Sequence, residues 1–292
     1  MNSITIYRLG QKLANFMGNT LGLLGPSAEL CPLCGKIAKP LQPRGVAKDL
    51  AKQRILSASF AKLICGNCLE NIPWIKSIKC RICGRAVACP DCIRRNAAAF
   101  VLNRSAVQYS EQMRELLAKY KYRGNETLEP YLGEMLLYPL TEMTRELTGR
   151  LGIRAGSPWS NIWHAITYVP VSVERAEERG FNQAERLAAW VSQSCGIPLV
   201  NLLARQKHSA KQSFKTRSER MRDMQNIFEV EREGLEGLVQ SSSKSVSQNA
   251  PMRLLLVDDI FTTGSTIQAC SETIQKGVFC PLEIYALTWA RS

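Results

Sequence analysis

No run of eighteen uncharged apolar residues occurs in the sequence, so no transmembrane helix is expected. The N-terminus lacks both a sustained apolar core and an A-x-A-like cleavage site, so no secretory signal is expected either. There is no G-x-x-x-x-G-K-[ST], which excludes a Walker-type nucleotide loop. Histidine is scarce, with two in 292 residues. Acidic residues are scarce on one side: residues 1–95 carry four against 15 Lys and Arg, whereas the rest carry 21 against 23. These absences point to a cytoplasmic protein with a basic N-terminal part and a near-neutral remainder. An apolar fraction of 45% leaves ample material for a true core in one large or two ordinary domains.

Cysteine, by contrast, is abundant. Eight of the 11 cysteines form four C-x-x-C pairs: Cys31/Cys34, Cys65/Cys68, Cys80/Cys83 and Cys89/Cys92. In a reducing compartment such pairs are more often metal ligands than disulfides. Each C-x-x-C presents two thiolates from one tight turn, and two turns complete a tetrahedral Zn²⁺ site. The expected sets are Cys31, Cys34, Cys65, Cys68 and Cys80, Cys83, Cys89, Cys92, with crossed pairing left open. Both histidines, His164 and His208, lie outside this stretch. Glycine after Cys34 and Cys83 suits a turn that needs positive φ. Cys195, Cys270 and Cys280 sit in apolar contexts and read as small core residues. Trp74 lies inside the basic module and is a candidate base-stacking platform.

Residues 4–24 have the apolar period of an amphipathic helix, ended by Gly25-Pro26. Tyr109 to Leu147 reads as helical, with a break at Gly124-Asn125. Beyond it, β and α signals alternate. Ala165–Val171 reads as a strand, Gln183–Cys195 as a helix capped by Gly196, and Pro198–Leu203 as a short strand. Segment 216–225 reads as helix-like, Ile227–Val230 as extended, and 240–250 as a low-complexity insertion. Leu254–Val257 is a buried strand, a helix covers Ser265–Lys276, and Leu282–Leu287 is a last strand. Such alternation predicts a parallel α/β sheet.

The most informative stretch is Leu254-Leu-Leu-Val-Asp258-Asp259-Ile-Phe-Thr262-Thr263-Gly264-Ser265-Thr266. An apolar strand ends in two carboxylates, and a Thr/Gly/Ser turn opens a helix. Ligands of open α/β sheets sit outside the carboxyl ends of strands. The unsatisfied amides and dipole of a helix N-terminus favour an anion there. Adjacent acids can accept hydrogen bonds from a vicinal diol or face a Mg²⁺ bridging it. A phosphate cradle beside a diol acceptor describes a ribose 5-phosphate site.

This stretch resembles the phosphoribosyl pyrophosphate (PRPP) signature of the type I phosphoribosyltransferases. Lys121-Tyr-Arg-Gly, Val169-Pro-Val, Arg175-x-x-x-Arg179-Gly-Phe-Asn-Gln183, and Ala204-Arg-x-Lys207-x-x-x-x-Gln212 followed by Glu219-Arg220 narrow the likeness. With the cysteine pairs they resemble the ComF competence family, which includes GntX-like proteins, over nearly the whole chain.

The resemblance implies a type I phosphoribosyltransferase-like parallel sheet flanked by helices, at 100–292, with the flexible insertion at 240–250. It implies a small zinc module at 31–95 holding two structural Zn²⁺, preceded by the helical segment 1–30. Asp258 and Asp259 are the expected catalytic pair. Thr262, Thr263, Gly264, Ser265, Thr266, Arg175, Arg179 and Lys207 are the expected PRPP ligands, with Mg²⁺ accompanying PRPP. Asn182 and Gln183 fit a helix cap and its neighbour equally well. Loop 35–64 is longer than the family pattern and rich in basic residues. Its Lys48, Lys52 and Arg54 suit polynucleotide phosphates, and a solvated basic face is the competing reading. The implied function is handling of imported single-stranded DNA during natural transformation, beside a competence helicase at the inner face of the membrane. Two other readings stay open: a metabolic phosphoribosyltransferase acting on a nucleobase-like acceptor, and a non-catalytic PRPP sensor that binds nucleic acid through the zinc module.

Overall fold

The computed structural model describes residues 30–38, 49, 55–94, 97–122, 125–154, 156–206, 227–242 and 250–292. The N-terminal segment, Lys48, Lys52, Arg54, Lys207 and segment 216–225 lie outside the described residues. In chain order the cysteine-rich part supplies three short helices: α1 (Ala58–Leu63), α2 (Gly66–Asn71) and α3 (Pro90–Arg94). Then follow β1 (Leu102–Gln108), α4 (Glu111–Tyr122), α5 (Glu129–Leu151), β2 (Ala165–Tyr168), α6 (Val173–Arg179) and α7 (Gln183–Cys195). A hairpin of β3 (Leu203–Arg205) and β4 (Phe228–Val230) leads to α8 (Arg232–Ser242). The chain then runs through β5 (Met252–Phe261), α9 (Ser265–Gly277) and β6 (Leu282–Arg291).

Among the described residues four strands form one sheet in the order β1-β6-β5-β2, and every pairing in it is parallel. Strands buried on both faces need apolar residues at successive positions rather than in alternation. β5 meets that demand with Leu254 to Val257, all fully buried. Beside β2, Leu199 forms a parallel bridge to Ile166, and amides Ile166 and Val200 donate to carbonyls Pro198 and Ile166. The short strand expected at Pro198–Leu203 is thus split between this bridge and β3.

Helices flank the sheet as their patterns dictate. α7 buries Ala184, Leu187, Ala188 and Val191, one stripe at helical spacing. Its start is fixed by the Asn182 side chain, which accepts from the amides of Ala184 and Glu185, and its end by Gly196 at φ 66°. Both boundaries match the expected helix. α5 packs against α7, β1 and β6. Trp163 of the β2 approach is fully buried, edge-on to Tyr285 at 5.1 Å, and its indole N–H donates to Thr144 Oγ1 at 2.9 Å. Burying such side chains stabilises by roughly 2 kcal/mol each.

Several elements are absent from the sequence expectations, the short helices α2, α3 and α6 among them, and two of these omissions are informative. β1 is one, because its centre is Asn103-Arg104-Ser105, polar and yet buried. α8 is the other; it runs to Ser242, three residues into the stretch read as a low-complexity insertion. No helix among the described residues is long and apolar enough to cross a membrane.

Candidate functional site

β5 carries its pairing with β6 through Asp258 as far as Phe261, so both carboxylates are fixed by the sheet. The amide of Asp259 donates to Asp258 Oδ1 at 2.8 Å. Burial, reinforced by the neighbouring Asp259 charge, pushes the Asp258 carboxyl up to about 8. Asp259 is ion-paired with Lys121 of α4, and both side chains are mostly shielded from solvent. Cys270 of α9 is buried near Asp258; burial pushes its thiol well up, and the Asp258 charge adds to the effect.

After Phe261 the chain leaves the sheet through Thr262 and Thr263, both exposed. Gly264 takes φ 81°, a left-handed conformation that glycine adopts without steric cost, and caps α9. Thr263 Oγ1 lies 3.1 Å from Ser265 Oγ and accepts from the Ser265 amide at 3.4 Å. Ser265 and Thr266 are exposed at the first turn of this 13-residue helix. The loop therefore presents hydroxyls and a helix N-terminus to solvent at the carboxyl end of a central strand. That arrangement can bind an anion.

Basic groups lie on three elements, α4, α6 and β3. Arg175, exposed on α6, follows Ser172, whose hydroxyl accepts from the Arg175 amide at 3.4 Å. Arg179 is held more firmly: Nη1 donates to Gln183 Oε1 at 2.8 Å and Nη2 to the Tyr122 hydroxyl at 2.9 Å. Its guanidinium lies 4.7 Å from the centre of the Tyr122 ring. Tyr122 adjoins Lys121, so Arg179 is tied to the helix end that reaches Asp259. Arg205 of β3 completes the group. Burial, then the Arg175 charge, lower its pKa below the ordinary value. Lys121 and Arg205 were not among the expected site residues, although both fall in the quoted family motifs. Asn182 and Gln183 serve the helix start and Arg179 respectively.

The cysteines form the two expected sets. Cys31, Cys34, Cys65 and Cys68 bring their sulfurs within 4.8 Å of one another, as do Cys80, Cys83, Cys89 and Cys92. Tetrahedral zinc–thiolate bonds of about 2.3 Å place sulfurs about 3.8 Å apart, and Cys34 and Cys65 are 3.7 Å apart. Gly35 and Gly84 have φ 74° and 73°, the positive values expected of each turn. Burial pushes the Cys68 thiol up, with Cys34 and Cys65 adding to the rise. A site of four crowded thiols gains most from a cation that lets them ionise together. Both sets could hold a metal ion.

The module is hydrogen-bonded to the sheet. Trp74 bridges Val107 in antiparallel fashion, and the Asn103 amide donates to the Ile82 carbonyl at 2.6 Å. The Asn103 side chain donates to the Cys83 carbonyl at 3.1 Å and accepts from Thr288 Oγ1 at 3.1 Å. These bonds satisfy the polar centre of β1. Trp74 itself is 5% exposed and meets Tyr138 edge-on at 5.6 Å. It is a packing residue rather than an open stacking platform. Cys270 is buried in the core, whereas Cys280 is exposed and its Sγ lies 3.3 Å from Met252 Sδ. The expectation of a core Cys280 is therefore corrected: it lies in the turn before β6 and is exposed.

The fold and its cysteine sets define a mixed α/β protein with a parallel sheet and an N-terminal module of two four-cysteine groups. No protein-family model matches the chain. Among curated proteins it is similar to competence protein ComFC of Bacillus subtilis, 26% identical over 77% of this chain and 83% of that one. Competence protein ComFC of Streptococcus pneumoniae is 23% identical over 84% of this chain and 93% of its own. Competence protein F of Haemophilus influenzae is 26% identical over 77% and 78% respectively. The resemblance to competence proteins thus extends over most of the chain.

Proposed function

We propose that this protein acts in natural transformation, handling imported single-stranded DNA, and that its α/β domain binds PRPP with Mg²⁺. The observation that carries the PRPP reading is the continuity of β5, Asp258, Asp259 and the Thr262–Thr266 turn at the start of α9. In it the two carboxylates accept the ribose diol, and the Thr262, Thr263, Ser265 and Thr266 groups with the Gly264 backbone hold the 5-phosphate. Arg175, Arg179 and Lys207 are assigned to the pyrophosphate, where guanidinium groups match phosphate oxygens. Mg²⁺ would neutralise pyrophosphate charge when bound with PRPP. The names of the relatives support the competence role.

Zinc is the metal best matched to both four-cysteine sets, because thiolate ligands in tetrahedral spacing suit a structural Zn²⁺. DNA contact is assigned to the basic N-terminal part, with Lys48, Lys52 and Arg54 meeting phosphates. A helicase partner and a place at the inner membrane face follow from the competence role.

The test is thermal stabilisation by Mg²⁺–PRPP. Ligand at a hundred times Kd adds about 2.7 kcal/mol, a clear rise in Tm. The Asp258→Asn/Asp259→Asn double variant should lose that increment. A zinc-loaded, folded wild type that shows no rise at millimolar PRPP would refute the PRPP site.

A further inference from the structure

Arg291 closes β6 opposite Phe261 of β5 and is 4% exposed. Its Nη1 donates to the carbonyls of Phe261 at 3.1 Å and Thr262 at 2.7 Å, and also to that of Ser292. Its Nη2 donates to Cys83 Sγ at 3.4 Å. The guanidinium lies 4.9 Å from the centre of the Phe261 ring. One planar cation therefore touches the first peptide of the phosphate loop on one side and a sulfur of the second four-cysteine set on the other. Arg85, next to the Gly84 turn of that set, braces the same corner by donating to the Ser292 carbonyl at 3.0 Å.

Each contact has a physical consequence. Four thiolates around a divalent cation keep a net negative charge, and a buried guanidinium hydrogen-bonded to one of them offsets it. Such outer contacts orient a metal ligand and hold its affinity. At the other end, bonds to the Phe261 and Thr262 carbonyls fix the peptides where the chain turns out of β5. The direction in which Thr263 to Thr266 then point depends on those peptides. Because guanidinium is rigid and planar, a shift of the Cys83 sulfur is passed to the loop carbonyls.

We propose that Arg291 is a positioning residue that couples the Cys80/Cys83/Cys89/Cys92 metal site to the phosphate loop, so that metal there pre-orders the loop. The ligand side of this coupling rests on the loop being a phosphate site. By linkage, a ligand that needs the ordered loop must then retain the metal to the same degree. The Cys31/Cys34/Cys65/Cys68 set has no such contact with Arg291 among the described hydrogen bonds, and it provides an internal control.

The full-length protein loaded with two Zn²⁺ is used. Zinc transfer to a chromophoric chelator is followed with and without Mg²⁺–PRPP, beside hydrogen exchange of the Asp259–Thr266 amides. In Arg291→Met one of the two Zn²⁺ should leave about 10-fold faster, the other at the wild-type rate, and the loop amides should exchange faster. Arg291→Lys, which keeps the charge, should restore part of both effects. In wild type, Mg²⁺–PRPP should slow the loss of one Zn²⁺ only. Unchanged loop exchange in Arg291→Met, or equal acceleration of both ions, would overturn the coupling. Calorimetry separates the two readings: a wild type that binds no Mg²⁺–PRPP removes the ligand assignment, while zinc release and loop exchange still decide the coupling.

Discussion

The Asn103 carbonyl oxygen lies 2.7 Å from where a β-carbon on Gly84 would stand. The Cys80–Cys83 turn can approach β1 only because that β-carbon is missing, and Gly84 also holds φ 73°. Gly35 has nearly the same φ, with open space around it. Gly35→Ala should therefore cost the backbone penalty alone, about 1 kcal/mol. Gly84→Ala adds a clash with backbone and should cost on the order of 3 kcal/mol. Urea unfolding of the zinc-loaded variants measures the difference.

Asp258 sets a pH signature. Its carboxyl is raised in the folded state, so the unfolded chain gives up this proton first. Its contribution turns unfavourable as pH rises from the ordinary carboxylate range and levels off above about 8. Asp258→Asn should raise Tm only slightly at pH 4.5 and much more at pH 8.5. A Tm gain equal at both pH values would contradict the burial of this carboxylate.

The Lys121–Asp259 pair balances two adjacent acids. Removing only the lysine leaves both carboxylates facing each other in a partly buried place. Lys121→Met should be more harmful than Lys121→Met/Asp259→Asn. A double-mutant cycle should return a coupling of about 1–3 kcal/mol. Lys121→Arg should recover much of it.

Metal removal should reach the sheet. Pro73, Ile75 and Ile82 of the module hydrogen-bond to β1, so stripping the metal should uncover that strand's outer edge. Hydrogen exchange at Leu102–Gln108 should rise, while Ala165–Tyr168 at the opposite edge stays protected. Equal protection of both strands after chelation would show that the module does not cover β1.

The proposed DNA binding should weaken steeply as salt rises, since each phosphate contact releases counterions. Charge reversal at Lys48, Lys52 and Arg54 should flatten the slope of log K against log salt by about 2–3. An unchanged slope would move the contact elsewhere on the basic part.

The site's frame was legible because its signals are local. Strand β5, the Asp pair and the turn into α9 follow one another along the chain, and the C-x-x-C turns carry their own spacing. α7 was equally legible, with its stripe, Asn182 and Gly196 in one window. β1 was not. Asn103 and Ser105 are acceptable in a buried strand only because Cys83 and Thr288 satisfy them, and those partners come from other elements. The same reason hid Lys121, whose importance depends on Asp259 being brought to it by the fold. Trp74 misled in the opposite direction, since a tryptophan among basic residues gives no sign of the Tyr138 ring that covers it.

The sheet also imposes an order of assembly. Ser105 of β1 meets Thr288 of β6 across 183 residues of chain, a wider separation than between the other paired strands of the sheet. During synthesis the cysteine turns can close as soon as they emerge, because each is local in the chain. β1 must then wait for 183 further residues before its inner edge finds β6. At about 5–20 residues per second that interval is on the order of ten to forty seconds. Early metal capture would shield one edge of the waiting strand, and a chaperone is the natural guardian of the other.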